Sequence, residues 1–279
     1  MQLSHKLSEK YTVMAEFLTD NRLKVNDEKT HLLVMTTRQK RKHVETSSMT
    51  ISTPSATVSP SAVERLLGAY IHEDMRWKEH IMANEDSFIK SLTKRQLAIK
   101  KISSMASLKS RKMIANGIFM SKLIYLMPVW AGCEDYLTKA LQVIQNKVAR
   151  SVTKRNIFTP TKTLMKECGW LTVKQLMVYH SLVQMQKTIQ SQTPEYLYTR
   201  VSIQLSQLEA LTTMRQGSML VGDSGSYQGL RQQMDLSERS WCWRASSTYY
   251  TMPARIKVEP DLAKFKSELK TWVKETIDR

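Results

Sequence analysis

The chain has 279 residues, of which 42% are hydrophobic, so it can bury a core and is not a disordered segment. Lys and Arg number 42 against 25 Asp and Glu, a formal net charge of +17, which points to a polyanionic partner: nucleic acid or an anionic membrane surface. The longest apolar stretch, Leu123 to Cys133, falls short of the roughly 20 residues a bilayer span needs, and the N-terminal residues carry no apolar signal core, so neither a membrane span nor secretion is expected, and nucleic acid rather than a membrane is the expected partner.

Residues 4 to 20 read as an amphipathic helix, with Leu7, Tyr11, Met14 and Leu18 at near-helical spacing and Ser4 or Ser8 as candidate caps. A turn from Asn21 to Lys29 leads to a short apolar strand, His31 to Thr36. Arg38 to His43 is a basic turn, open to reading as a nuclear import signal, a hairpin tip near a nucleic-acid backbone or a solvated turn. Ser47 to Ser61 is rich in Ser, Thr and Pro and reads as a loop or irregular hairpin, and Val63 to Ile71 as another strand.

From Trp77 the pattern turns helical. Ile81, Phe88, Ile89, Leu92, Gln96 and Ile99 approximate one stripe. Further helices are expected from about Leu108 to Met127, Tyr136 to Val152, Thr161 to Cys168 and Thr172 to Ile189. Residues 199 to 252 hold half of the Gly and much Ser and Gln, which predicts short strands and loops. Asp261 to Ile277 closes the chain as an amphipathic helix with Leu262, Phe265, Leu269, Trp272 and Val273 inward.

The positive charge is concentrated. Between Ser87 and Lys166 there are sixteen Lys or Arg and two acids, Glu134 and Asp135. A solvated helix ordinarily interleaves both signs to gain i,i+4 pairs. Here the cations repel one another unless an anion is present, so phosphate binding explains the pattern better than a merely basic solvated face. The candidate nucleic-acid contacts are Lys94, Arg95, Lys100, Lys101, Lys109, Arg111, Lys112, Lys147, Arg150, Lys154 and Arg155. Trp77, Trp130 and Trp170 read as core rather than as base-stacking platforms.

Cys133, Cys168 and Cys242 are isolated, with no CxxC pair, which suits a reducing compartment and leaves no zinc knuckle within the chain. An intracellular place, nucleus or cytoplasm, is expected. No P-loop, dinucleotide fingerprint or Ser-His-Asp context occurs.

Several segments together resemble the reverse transcriptase of non-LTR (LINE-type) retrotransposons. Leu23-Lys-Val-Asn-Asp-Glu-Lys-Thr30, followed by an apolar strand, is similar to the palm block after that family's catalytic aspartates. Leu66-Leu-Gly-Ala-Tyr-Ile-His-Glu-Asp-Met-Arg-Trp77 with His80-Ile81 resembles the primer-grip hairpin passing into the thumb. Tyr125-Leu-Met-Pro-Val-Trp130 resembles a family segment that usually carries Gly where this chain has Leu126. Leu141-Gln-x-x-Gln-Asn-Lys-x-Ala-Arg150, Gly169-Trp-Leu-Thr-Val173, Thr193-Pro-Glu-Tyr-Leu197 and Phe265-Lys-x-x-Leu-Lys-x-Trp272 continue the likeness in order along nearly the whole chain.

The resemblance implies a mainly α chain with a small α+β N-terminal part. It would divide into a palm remnant and primer-grip-like hairpin over 1–75, a basic thumb-like helical bundle over 76–190, and a mixed region over 191–279 ending in the amphipathic helix. Within it Lys29 matches a palm lysine that assists the departing pyrophosphate, and Leu67, Gly68 and Tyr70 match the primer grip. Gly68 reads equally as a strand bulge. The family's polymerases use Mg held by carboxylates that include an adjacent Asp pair. No such pair occurs in this sequence, and the chain begins about where the catalytic hairpin should have ended.

The chain is therefore expected to bind template and primer (RNA, DNA or an RNA–DNA hybrid) without polymerising alone, with no cofactor or metal of its own and with the upstream part of such an enzyme as a further candidate partner. An inert retroelement remnant and a basic helical adaptor with a Met-rich protein-binding surface are the alternatives. The strand from Leu32 to Met35 is expected to show an exposed edge.

Overall fold

The structure, a computed structural model, describes residues 2–26, 29–36, 41, 49–53, 57–218 and 240–277. Most of the described chain is helical, with a few small two-stranded sheets. It divides into two compact units, Met1–Ser87 and Phe88–Arg279. The expected boundary at 75 falls inside the first unit, and the expected boundary at 190 falls inside the second.

In the first unit α1 spans Gln2–Asp20. Ser4 and Ser8 lie within this helix rather than capping it. Their hydroxyls accept from the backbone N–H of Thr50 and Ser52, at 3.4 and 3.1 Å. They thereby satisfy donors on and beside β2 (Ile51–Ser52). Tyr11 is buried, but Met14, expected on the inward stripe, is 47% exposed, as are Val13 and Phe17 to greater extents. β1 (Leu32–Leu33) is shorter than predicted and pairs in parallel with β4 (Pro60–Ser61), while β2 pairs antiparallel with β3 (Thr57–Val58). The Ser47–Ser61 segment thus contributes strands to two separate sheets.

The predicted strand from Val63 to Ile71 is a hairpin of β5 (Val63–Leu66) and β6 (Ala69–His72). Leu67 and Gly68 form its two-residue turn, with φ of 50° and 84°. Two central residues with positive φ match the hand of the turn to the strand twist, so Gly68 is a turn residue and not a bulge. Of the basic turn, Arg41 is described: its Nη1 lies 2.6 Å from Glu73 and 2.9 Å from Asp74, so it has a structural role. The rest of that turn lies outside the described residues.

In the second unit α2 (Phe88–Ile102) packs on α6 (Asp135–Thr153), and its Phe88, Leu92 and Ile99 are buried. α3 (Leu108–Ala115) runs through a wide π turn at Asn116–Met120 into α4 (Ser121–Ile124). After α5 (Met127–Trp130), Trp130 is fully buried against Phe88, with ring centres 5.4 Å apart. The N-cap of α5 is Leu126 at φ 52°, the position where the resembled family carries Gly. A left-handed backbone there is the conformation Gly adopts without steric cost.

α7 (Thr161–Cys168) ends at Gly169, φ 74°, in a reciprocal pair of bonds: Gly169 N–H to Lys166 carbonyl and Trp170 N–H to Met165 carbonyl. Three residues later Thr172 caps α8 (Val173–Ser191) in a capping box with Gln175. The segment Gly169–Val173 is therefore a corner that stops one helix and starts the next.

Residues 199–252 depart from the prediction of strands and loops. Their described parts are helical: α9 (Glu195–Ser218) and α10 (Trp241–Thr251). Of the four glycines that suggested otherwise, Gly217 lies within α9 and Gly222, Gly225 and Gly229 fall outside the described residues, while the flanks are rich in Leu, Gln, Ser and Ala. α11 (Ala254–Lys257) and α12 (Leu262–Thr276) follow. α8, α9, α10 and α12 share one core that includes Leu182, Met185, Val201, Phe265 and Leu269, with the Tyr249 hydroxyl donating to buried Gln186 at 3.0 Å.

Candidate nucleic-acid interface

On α2 the buried residues Phe88, Leu92, Gln96 and Ile99 form one stripe. At helical spacing Lys90, Lys94 and Lys101 lie within about 40° of one another on the opposite face. All three are exposed, and so is Lys100 on the flank. Arg95 sits at the edge of the core face and donates to the Ser91 hydroxyl at 2.7 Å. With Ser121, Lys122 and Tyr125 it lines a recess of about 460 Å³. The Lys122 ammonium there stands 5.3 Å from the centre of the half-exposed Tyr125 ring. Gly117 and Ile118 of the π turn line the same recess.

The remaining predicted contacts divide into free and engaged cations. Lys109, Lys147 and Lys154 are exposed, and Lys112 and Arg150 half-buried. Lys154 caps α6 with φ 57°, placing a cation at the negative end of the helix dipole. Arg111 departs from the expectation of an exposed cation: it is 8% exposed, and its guanidinium donates to the carbonyls of Val152, Ala106 and Ser103 at 2.6, 2.5 and 3.4 Å. Arg155 donates three bonds to the Glu167 carboxylate, at 2.8 to 3.2 Å. These bonds hold the Glu167 carboxyl below its ordinary pKa. Of the predicted set, then, Lys94, Lys100, Lys101, Lys109, Lys147 and Lys154 present open ammonium groups.

A second group of cations converges where the sequence does not announce it. Lys139, Lys162, Lys166, Lys174 and Lys274 line a groove of about 820 Å³ floored by Met165 and Trp170. The first three belong to the acid-poor stretch; Lys174 and Lys274 lie beyond it and are brought in by the fold. The floor is fastened by amide side chains of α6. Gln142 accepts from Val173 N–H at 2.8 Å, Gln145 donates to the Leu171 carbonyl at 2.9 Å, and Asn146 donates to the Thr161 hydroxyl at 2.8 Å. Trp170 is buried and spends its indole N–H on Asn116. The far wall is held by Gln175, whose amide donates to the Ile277 carbonyl at 3.0 Å. A Gln-x-x-Gln-Asn pattern on a helix is the one sequence signal for this scaffold.

In the first unit Leu67 and Gly68 stand at the hairpin tip, and Tyr70 lies under the Arg65 guanidinium at 5.6 Å. Lys29 is exposed after a turn closed by its own N–H bond to the Asn26 carbonyl. Among the described residues no group of three or more His, Cys, Asp or Glu is placed to hold a metal ion. No described helix is long and apolar enough to cross a membrane. Burial pushes the Cys133 and Cys168 thiols up to about 11, so neither is a thiolate nucleophile at neutral pH.

Neither a family model, nor a curated protein, nor a solved structure matches the chain.

Proposed function

We propose that the chain binds nucleic acid through its sugar-phosphate backbone, as the thumb-like region of a LINE-type reverse transcriptase would, and does not polymerise on its own. The observation that carries this reading is the face of α2. Lys90, Lys94 and Lys101 project from the side opposite its core, with no acid on that helix to neutralise them. Repulsion among like charges on one face destabilises the free protein and is relieved by a polyanion.

Two further features support the reading. The segments that carry the likeness include joints of the fold: Gln142 and Gln145 of one bond the backbone of Val173 and Leu171 of another. The hairpin at Leu67-Gly68 has the form that the primer-grip likeness implies. Lysine ammonium groups are point charges without base-reading geometry, so the binding is largely indifferent to sequence. An RNA–DNA hybrid gains a modest preference through its A-form phosphate spacing.

The test is fluorescence anisotropy with a labelled hairpin duplex and a hybrid of equal length across a salt series. The reading expects binding that weakens steeply and linearly on a log-log salt plot for both ligands. In the same samples, deoxynucleotides and Mg²⁺ should give no primer extension. Salt-independent binding, or none at low salt, would refute the nucleic-acid reading.

A further inference from the structure

We propose that the groove between α6, α7, α8 and α12 is a channel for one strand of nucleic acid, RNA or DNA, separate from the convex lysine face of α2. Five lysines, Lys139, Lys162, Lys166, Lys174 and Lys274, surround it, against one lining carboxylate, Glu275. All five are exposed, so their ammonium groups are wet, mobile and free to meet successive phosphates.

The shape selects the form of the ligand. A space of about 820 Å³ has the size of a ligand pocket and admits a few nucleotides. A duplex is stiff and convex and cannot enter it. A single strand has free backbone torsions and follows a concave basic path. Other means of holding phosphate at this place are already committed. The Val173 and Gln175 N–H groups at the start of α8 are bonded to Gln142 and Thr172, so the helix end offers the anion little. Trp170 is 7% exposed and hydrogen-bonded to Asn116, so it is no stacking platform. Recognition therefore rests on lysines alone and is electrostatic and sequence-tolerant. A strand meeting four of them would show a log-log salt slope near about −3, each phosphate on a single strand contributing about −0.7.

The inference takes its class of partner from the nucleic-acid reading but assigns a different surface. Anisotropy of the full chain with a labelled twelve-nucleotide oligo-dT and with a blunt duplex separates the two. In K139Q/K162Q/K166Q/K274Q the oligo-dT affinity should fall at least about tenfold and the salt slope flatten by about two to three, while duplex affinity changes less than about threefold. The corresponding fourfold Lys→Arg variant should bind oligo-dT as the unaltered chain does. E275Q, which removes the one acid, should tighten oligo-dT severalfold and leave the duplex unchanged; it decides the matter if the fourfold Gln variant melts early. Equal losses for both ligands, no response to E275Q, or displacement of oligo-dT by polyglutamate at matched charge would each overturn the channel. Duplex binding without oligo-dT binding would sink the channel alone. Binding of neither would sink the nucleic-acid reading with it.

Discussion

The Nε of Arg111 donates to the carbonyl of Val152 at 2.6 Å, joining the first turns of α3 to the last turn of α6. The same guanidinium also takes the carbonyls of Ala106 and Ser103, which close the turn after α2. One side chain thus ties three helices by satisfying backbone acceptors that would otherwise be left without a protein partner. Substituting Arg111→Met should destabilise the second unit by about 2–4 kcal/mol in urea unfolding, since hydrogen bonds to a charged group are worth more than neutral ones. Arg111→Lys should recover little of this, because one ammonium cannot reproduce the planar fork. A loss below about 0.5 kcal/mol for Arg111→Met would show that the tie is dispensable.

Leu67 occupies the first central position of the β5–β6 turn with φ 50° and is 75% exposed. A leucine gains nothing from burial there and carries the strain of a left-handed backbone. Leu67→Asn creates the Asn-Gly pair favoured by such turns and should stabilise the hairpin by about 1 kcal/mol. The readout is stronger hydrogen-exchange protection of the amides that pair β5 with β6. Unchanged protection would mean that the turn does not limit the hairpin.

These two residues also mark what can and cannot be read from the chain. The hydrophobic spacing of Phe88, Leu92 and Ile99, and of Leu137, Leu141, Ile144 and Val148, located α2 and α6 with their core faces, because a buried stripe must follow the helical period. α7 has the bounds expected, Thr161–Cys168, and α8 lies within one residue of its expected start and two of its expected end. The charge pattern could not show that Arg111 and Arg155 are engaged, because composition counts a cation but not the carbonyls or carboxylate that the fold brings to it. The lysine groove was hidden for the same reason. Lys274 and Lys139 line one groove through tertiary packing, which leaves no local pattern. In α9, nearby glycine and serine masked a stretch of ordinary helix formers.

The three cysteines are all desolvated, with Cys133 and Cys168 pushed up to about 11 and Cys242 raised by burial as well. At pH 8 the folded chain should therefore react slowly with iodoacetamide at all three, whereas the chain in urea should be alkylated at each within minutes. Raising the pH should speed the native reaction as thiolate forms. Mass spectrometry of timed samples provides the readout. Rapid native labelling of Cys133 or Cys168 would contradict their placement.

The nucleic-acid reading depends most on where the binding cations are, and one comparison tests it. Duplex affinity is measured across a salt series for the unaltered chain and for two charge-matched variants. The first replaces Lys94, Lys101, Lys147 and Lys154 by Gln, all exposed cations of the acid-poor stretch. The second replaces Arg200, Arg255, Lys264 and Lys270 by Gln, which are exposed and lie outside it. The first variant should weaken binding on every sequence and flatten the salt slope by roughly one unit for each phosphate left unneutralised, while the second stays near the unaltered chain. Equal effects from the two variants would mean that the protein attracts nucleic acid only through its overall charge of +17, and that the interface assigned to the helical block does not exist.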